Sequence, residues 1–197
     1  MKRSALIGLV AGLVLVFIVW AVSSYNALVG LDQDVAAQWG QVENVYQRRA
    51  DLVPNLVASV KGAAKHERET LEAVTQARAK TGQTSVVAPY DDPKALARFQ
   101  ASQDQLSSAL SRLMIVAEQY PDLKANENFL ALQSQLEGTE NRIAVERKRY
   151  NDVARDFNTR RNRFPTVLVA GMFGDRFPSK AYFEAQAGAE QAPSVEF

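Results

Sequence analysis

The sequence predicts an all-α protein in which an N-terminal transmembrane helix is followed by an antiparallel bundle of long helices. The first observation is a run of eighteen residues, 5–22, without a charge or strongly polar group. The second is a series of apolar stripes whose gaps alternate between three and four residues, as in a helix with one buried face. We divide the chain into an anchor (1–24), a bundle (25–165) and a C-terminal tail (166–197) that packs on the bundle and is partly disordered at its end.

The composition narrows the classes of function. Of the 197 residues, 47% are hydrophobic, which is enough to bury a core. The 23 basic and 22 acidic residues almost balance, so the chain has no net basic surface to attract a nucleic acid. The absence of cysteine excludes disulfides, thiolate nucleophiles and cysteine-based zinc sites. We therefore expect no nucleic-acid partner.

Residues 5–22 are long enough to cross a lipid bilayer. At 1.5 Å per residue they extend roughly 27 Å, close to the thickness of the hydrocarbon layer. Trp20 and Tyr25 stand where interfacial aromatic residues are common. The alternative is a cleaved signal peptide with a cleavage site near Ser23, although signal peptides usually have shorter apolar runs of about 7–15 residues. We expect a retained single-pass anchor in the inner (plasma) membrane.

Two further features concern the orientation and packing of this anchor. Lys2 and Arg3 predict a cytoplasmic N-terminus, which leaves the bulk of the chain extracytoplasmic. Gly8 and Gly12 have the spacing that lets two helix backbones approach closely in lipid. They are candidate transmembrane packing residues of a homo-oligomer, although glycine is also common in membrane helices without this role.

The first bundle helix is predicted by a stripe that starts at Leu28 and stays in phase as far as Arg78. Pro54 interrupts it, and a proline inside a helix removes one hydrogen bond and crowds the preceding turn. Because the phase is kept and no glycine marks a reversal, we favour one long kinked helix over a tight hairpin at Pro54.

Two more helices and a short one are predicted after it. Turn-type residues fill positions 81–93, and Asp92 followed by Pro93 marks the start of the second helix, which Pro121 ends. Asn126 is a candidate N-cap for the third, which runs to about residue 164. The tail contains glycines, prolines and aromatic residues that suggest one short helix lying on the bundle.

Several charged residues occupy stripe positions that are otherwise apolar. A buried charge is costly unless it is paired and hydrogen-bonded. The candidate members of a structural polar layer that sets helix register are Arg49, Glu67, Glu140 and Arg147. The alternative is that the ends and edges of the bundle leave them half-exposed, and for Arg78 we favour that interpretation. Glu146, by contrast, is expected on a neighbouring outer face.

No catalytic, cofactor-binding or metal-binding residue can be named. The single histidine, His66, is part of neither a Glu-x-x-His nor a His-Glu-x-x-His motif, so a solvent-facing position is expected. The sequence contains neither a phosphate-binding glycine loop nor a Gly-x-Ser-x-Gly elbow. The arginines of residues 147–163 alternate with acidic residues, as on a solvated helix face. We therefore expect a protein that is not an enzyme.

Distinctive runs follow one another from just after the apolar segment almost to the C-terminus. The two longest are residues 48–57, RRADLVPNLV, and residues 120–129, YPDLKANENF. Shorter pieces are residues 25–26, 28–29, 60–61, 66–67, 139–144, 150–151, 158, 164–165, 173 and 182–183. In these runs the chain resembles the LemA family of bacterial membrane-anchored helical proteins. The resemblance implies a single-pass anchor joined to an antiparallel helical bundle, and it implies no catalytic chemistry.

We therefore expect a membrane-anchored, non-enzymatic scaffold that contacts the bilayer through residues 5–22 and presents its bundle to a protein partner or to copies of itself. The alternative is a ligand-binding or sensing protein, or an accessory subunit of a membrane enzyme complex. That role would need a pocket between helices, for which the neighbourhood of Pro54 is the candidate position.

Overall fold

A computed structural model describes residues 2–63, 67–83 and 88–184, and within these ranges the protein is helical, without a strand. The helices in chain order are α1 (Lys2–Ala63), α2 (Arg68–Gln83), α3 (Pro93–Glu118), α4 (Pro121–Lys124), α5 (Glu127–Asn162) and α6 (Thr166–Met172). Two short 3-10 turns are Pro89–Asp91 and Gly174–Arg176. The predicted all-α class is confirmed.

The first helix passes through Pro54 without ending, as predicted, but it stops at Ala63. The chain then reverses direction. The reversal is shown by a hydrogen bond of 2.9 Å from the Nε atom of Arg78 to the backbone carbonyl of Ala50. Helix α2 therefore runs back along α1, and the expectation of one helix as far as Arg78 is wrong beyond Ala63. Both arms of this helical hairpin bury one face, and the spacing of their apolar residues stays in phase across the reversal.

The predicted helix start at Asp92 and the predicted N-cap at Asn126 are both present. The Asp92 carboxylate accepts from the backbone N–H of Lys94 at 2.9 Å, where α3 begins. The Asn126 side chain accepts from the backbone N–H of Phe129 at 3.2 Å, where α5 begins. Each cap satisfies a backbone donor that the first helical turn leaves without a partner.

The long helices alternate in direction and enclose two apolar clusters. The proximal core lies nearer to the apolar N-terminal segment and contains Leu28, Val35, Trp39, Val42, Tyr46, Leu96, Phe99, Ile143, Tyr150, Ala154, Phe157, Ala170, Phe177, Ala181 and Phe183. The distal core contains Val53, Leu56, Val60, Val74, Ala77, Leu106, Ala109, Leu110, Leu113, Ala117, Leu123, Phe129 and Leu136. Helix α1 supplies residues to both.

The tail packs on the bundle over the part that the structure describes. It forms α6, a 3-10 turn and a non-helical segment, residues 177–184, which we call the C-terminal strap. Over its 7 residue steps the strap contacts α5 from Arg161 to Arg147. That stretch of helix is about 21 Å long, so the strap is almost fully extended. The predicted disorder at the end of the tail concerns residues 185–197, which lie outside the described residues.

The N-terminal part of α1 is long and apolar enough to cross a membrane. Its most apolar 18-residue window has a mean hydropathy of 2.9, and none of that window is buried within the protein. Large apolar side chains such as Leu9, Val16 and Val19 are more than half exposed. Burial on α1 begins only at Ser24.

Candidate functional site

Arg49 lies at the boundary between the two apolar cores. Its side chain is 1% exposed, and one terminal nitrogen, Nη1, donates to Glu140 at 2.8 Å and to Ser107 at 2.7 Å. The other, Nη2, donates to the backbone carbonyl and the side-chain oxygen of Gln103. The guanidinium also lies 5.1 Å from the centre of the Tyr46 ring. We call Arg49, Gln103, Ser107 and Glu140 the Arg49 layer; it joins α1, α3 and α5.

The structure brings together only two of the four predicted layer residues. Glu67 instead accepts from the Tyr120 hydroxyl at 3.2 Å. Arg147 donates to the backbone carbonyl of Glu184 at 2.9 Å and lies 4.7 Å from the centre of the Phe183 ring. The register of the packed helices thus places Glu67 and Arg147 at other levels of the bundle than Arg49 and Glu140.

The geometry bears on two neighbouring expectations. Arg78 is half-buried, as expected, but it is held by the backbone of α1. The Glu146 side chain is only 15% exposed, accepting from Arg149 at 2.8 Å and from Gln38 of α1 at 2.7 Å. It therefore does not lie on an outer face. The Glu140 side chain, at 39% exposed, is the more solvated carboxylate of the two.

A second buried charge, Lys180, lies in the C-terminal strap. Its side chain is 1% exposed, and Nζ lies 2.6 Å from Asp32 of α1 and 2.7 Å from Asp91. The ammonium group also lies 4.8 Å from the centre of the Phe157 ring. Arg176 contacts the other oxygen of Asp32 at 2.9 Å, and this contact raises the pKa of the Arg176 guanidinium. Two opposite charges and an aromatic face thus offset the desolvation of the buried ammonium group.

The strap is held chiefly by side chains of α5 that hydrogen-bond to its backbone. Asn158 donates to the carbonyl of Lys180 at 2.8 Å and accepts from the N–H of the same residue at 2.9 Å. Asn151 makes the equivalent pair of bonds with Phe183, at 3.0 and 2.9 Å. An asparagine amide can satisfy both backbone groups of one extended residue, as a neighbouring strand would. These two asparagines therefore determine the register of the strap on α5.

Aromatic side chains close the proximal core beneath the strap. The Trp39 ring lies 5.2 Å from Phe99, 5.6 Å from Tyr150 and 5.8 Å from Phe183, measured between ring centres. The Tyr150 hydroxyl donates to the carbonyl of Ala181 at 2.8 Å. Burial raises the pKa of Tyr150 strongly. The Tyr150 hydroxyl can donate its hydrogen bond to Ala181 only while the phenol is protonated.

Lys180 and Asp32 were missed by the sequence reasoning. Asp32 follows Leu31 on the first apolar stripe, so its position beside a buried face is a usable signal. Lys180 lies in a non-helical segment without periodicity, and only its place between Phe177 and Phe183, both buried, hints at burial.

The described surface carries open grooves between helices. One of about 650 Å³ lies between α1 and α2 and is lined by Val57, Lys61, Arg68, Leu71, Glu72, Thr75 and Gln76. Another of about 650 Å³ lies beside the Arg49 layer and includes Tyr46, Arg78 and Gln103. A third, of about 790 Å³, runs between α3 and the strap. Pro54 lines none of these three.

No three His, Asp or Glu side chains in residues 2–63, 67–83 and 88–184 are grouped so that they could hold a metal ion. His66 lies outside the described residues, so its predicted solvent-facing position stays a prediction. For Gly8 and Gly12, an added Cβ atom would meet no atom within 4 Å apart from the adjoining backbone of its own helix, so neither glycine is required by packing within one copy of the chain.

The described residues form a long helical bundle with an apolar N-terminal extension that is a candidate membrane span. These features define a class of helical bundle proteins with a candidate N-terminal anchor. A family model described as the LemA family matches residues 38–197. Since this match covers more than half of the chain, the protein belongs to the LemA family, as the sequence runs predicted. No curated protein matches the chain.

Proposed function

We propose that the protein is a membrane-anchored, non-enzymatic scaffold that presents its helical bundle to a protein partner or to further copies of itself. Residues 5–22 cross the bilayer as a single pass in the inner (plasma) membrane. Lys2 and Arg3 stay on the cytoplasmic side, and the bundle lies in the periplasm.

The continuity of α1 carries this proposal. A single helix, Lys2–Ala63, contains both the apolar segment and one wall of the two cores. Beyond residue 22 it extends for roughly 60 Å. Because no break in α1 separates the anchor from the bundle, the bundle is carried upright on the anchor and its far end is displayed away from the membrane.

Exposed apolar side chains on the bundle provide candidate contact points for a partner. Ile115 is 60% exposed, and Leu130 and Val145 are each 47% exposed. Ile115 and Leu130 lie near the far end, and Val145 lies at mid-height on α5. Burying such a side chain against a partner would be favourable, and the buried centre of an interface is richer in apolar groups than the rest of the surface.

Photo-crosslinking in intact membranes tests the scaffold role. A photoreactive amino acid is placed at Ile115, Leu130 or Val145, with the exposed polar position Gln105 as the matched control. We expect a discrete adduct, with a second copy or with one other protein, at one or more of the apolar positions and not at the control. Equal or absent crosslinking at all four positions would contradict the proposal. A small molecule retained in the groove beside Tyr46, without a protein adduct, would instead support the ligand-binding alternative.

Topology is tested separately. The natural chain contains no cysteine, so a single cysteine at the exposed position Ser134 reports which side of the membrane α5 occupies. In intact cells whose outer membrane has been made permeable, we expect a membrane-impermeant maleimide to label this cysteine.

Retention of the anchor is a separate question. N-terminal sequencing of membrane-extracted protein should find residue 1 or 2, whereas a start near Ser24 would mean that residues 1–23 are a cleaved signal.

A further inference from the structure

Helix α6 packs against α1 just beyond the apolar segment. The Tyr25 ring lies 5.2 Å from Phe173 and 5.3 Å from Phe177, between ring centres. Tyr25 follows the last residue of the apolar run, Val22, by three positions, which is about 4.5 Å along the helix. The tail thus returns to the point where α1 would leave the hydrocarbon layer.

One face of this returning segment is apolar and open. Helix α6 buries Val169 and Ala170 against the bundle, whereas Leu168 is 54% exposed and Met172 is 73% exposed. Phe164, just before the helix, is 76% exposed. Side chains four residues apart lie on the same side of a helix, so Leu168 and Met172 form one patch with Phe164 beside it. We call these three residues the α6 patch.

The residues around the α6 patch are basic. Residues 155–176 contain five arginines and two aspartates. Arg155 and Arg176 form ion pairs with nearby aspartates, which leaves the arginines at the end of α5 as the free basic charges of this stretch among the described residues. Arg160 and Arg163, at the end of α5 and just after it, are both exposed. An apolar patch rimmed by arginines is suited to the surface of an anionic bilayer, where acyl chains and phosphates lie a few ångströms apart.

We propose that the α6 patch inserts into the interface of the bilayer that α1 crosses, so that the base of the bundle is attached to the membrane at two points. This inference rests on the proposed anchor. The headgroup layer on each side of a bilayer is roughly 5–8 Å thick. Tyr25 and its contact Phe173 lie within that depth, and the exposed side chains of α6 reach the same layer. The second attachment limits the tilt of the bundle relative to its anchor.

Depth-dependent quenching of an environment-sensitive fluorophore tests the proposal in the full-length chain. Single cysteines replace Leu168 or Met172 and are labelled, and the protein is reconstituted in phosphatidylcholine–phosphatidylglycerol vesicles containing quenchers at shallow or deep positions of the acyl chain. We expect both labels to be quenched by the shallow quencher. A label on Leu13→Cys, in the anchor, should be quenched by the deep one, and a label on Leu130→Cys, at the far end of the bundle, by neither.

The controls separate failure of the inference from failure of the anchor. If Leu13→Cys is quenched while Leu168→Cys and Met172→Cys behave like Leu130→Cys, the inference is overturned and the anchor stands. If Leu13→Cys is not quenched either, the anchor proposal fails and the inference fails with it. Circular dichroism verifies that each labelled variant is folded. As a second measurement, Met172→Asp should abolish the shallow quenching of a label at Val167, whereas unchanged quenching would overturn the inference.

Discussion

The guanidinium of Arg49 lies 2.8 Å from the carboxylate of Glu140, although 91 positions separate the two residues in the chain. The two partners differ in their surroundings. The Arg49 side chain is 1% exposed and the Glu140 side chain is 39% exposed, so solvent reaches the anion and not the cation. The pair lies where the proximal core gives way to the distal core, and it ties α1 to α5 at that level.

Glu140→Ala should lower the free energy of unfolding by about 1–3 kcal/mol, the cost of leaving a buried charged donor under-satisfied. The loss should stay below the roughly 3–5 kcal/mol of a fully buried pair, because Arg49 keeps Gln103 and Ser107 as acceptors. Denaturant unfolding measures the change. Glu137→Ala, an exposed position on the same helix, is the matched control and should change stability by less than about 0.5 kcal/mol. Equal small effects would show that the Arg49 layer does not stabilise the fold.

Lys180→Met should destabilise the protein by about 1–3 kcal/mol, because it leaves Asp32 and Asp91 without their buried cation while keeping an apolar stem beside Phe157. Arg176→Met is the control, since it removes the other cation from the same Asp32. Its side chain is 48% exposed, and such a pair contributes about 0–1 kcal/mol. Thermal melts of both variants give the comparison, and a larger loss for Arg176→Met would contradict the prediction.

Asn158→Ala should release the C-terminal strap without unfolding the helices, because it removes both backbone bonds to Lys180. Hydrogen exchange followed by mass spectrometry should show faster exchange in residues 179–183 and little change in α1 or α3. Asn141→Ala, at an exposed position of the same helix, should leave the strap protected. Unchanged protection in Asn158→Ala would mean that the bonds from Asn151 and the buried side chains are enough to hold the strap.

Stability should fall as the pH rises above about 10, where unfolded tyrosines ionise. Burial raises the pKa of Tyr150 and Tyr46 in the folded protein, so both phenols stay protonated there. Their contribution is complete below the unfolded pKa and is lost as the pH rises from that value toward the folded pKa. Tyr150→Phe should cost about 0.5–1.5 kcal/mol at pH 7, from the lost bond to Ala181, and should make the alkaline decline shallower. Denaturant unfolding from pH 7 to 11 checks this, and an identical alkaline slope in both proteins would refute it.

The substitutions Gly8→Ile and Gly12→Ile together should weaken self-association in detergent if copies of the chain meet through the anchor. Small residues at this spacing permit close backbone contact, and isoleucine would separate the helices. Within one copy, neither added side chain meets another atom within 4 Å of its Cβ position, so the fold should not change. Light scattering gives the mass. An unchanged mass would exclude the anchor as the interface, and Leu9→Ile is a control on the same helix.

The sequence by itself determined which segments are largely helical and which face of each helix is buried. Apolar residues repeated every three or four positions indicate a helix with one buried face, whatever it packs against, and Asp92 and Asn126 mark starts because capping is a local interaction. For the same reason, the stripes located Arg49 and Glu140 beside the core. Residues 5–22 were identified as a candidate membrane span from their length and composition alone.

The tertiary structure alone decided where the chain reverses and which polar residues meet. In this chain the apolar stripe happens to keep its phase across the reversal after Ala63, so the periodicity gave no sign of the reversal. Periodicity says which face a residue occupies but not the level at which a neighbouring helix presents its own, and so Glu67 and Arg147 found partners away from the Arg49 layer. Lys180 lies in an extended strap, and its carboxylate partners come from residues 32 and 91. Only the packing of these distant segments brings the three charges together. A buried ammonium group is costly to desolvate, so it is stable only where such opposite charges surround it.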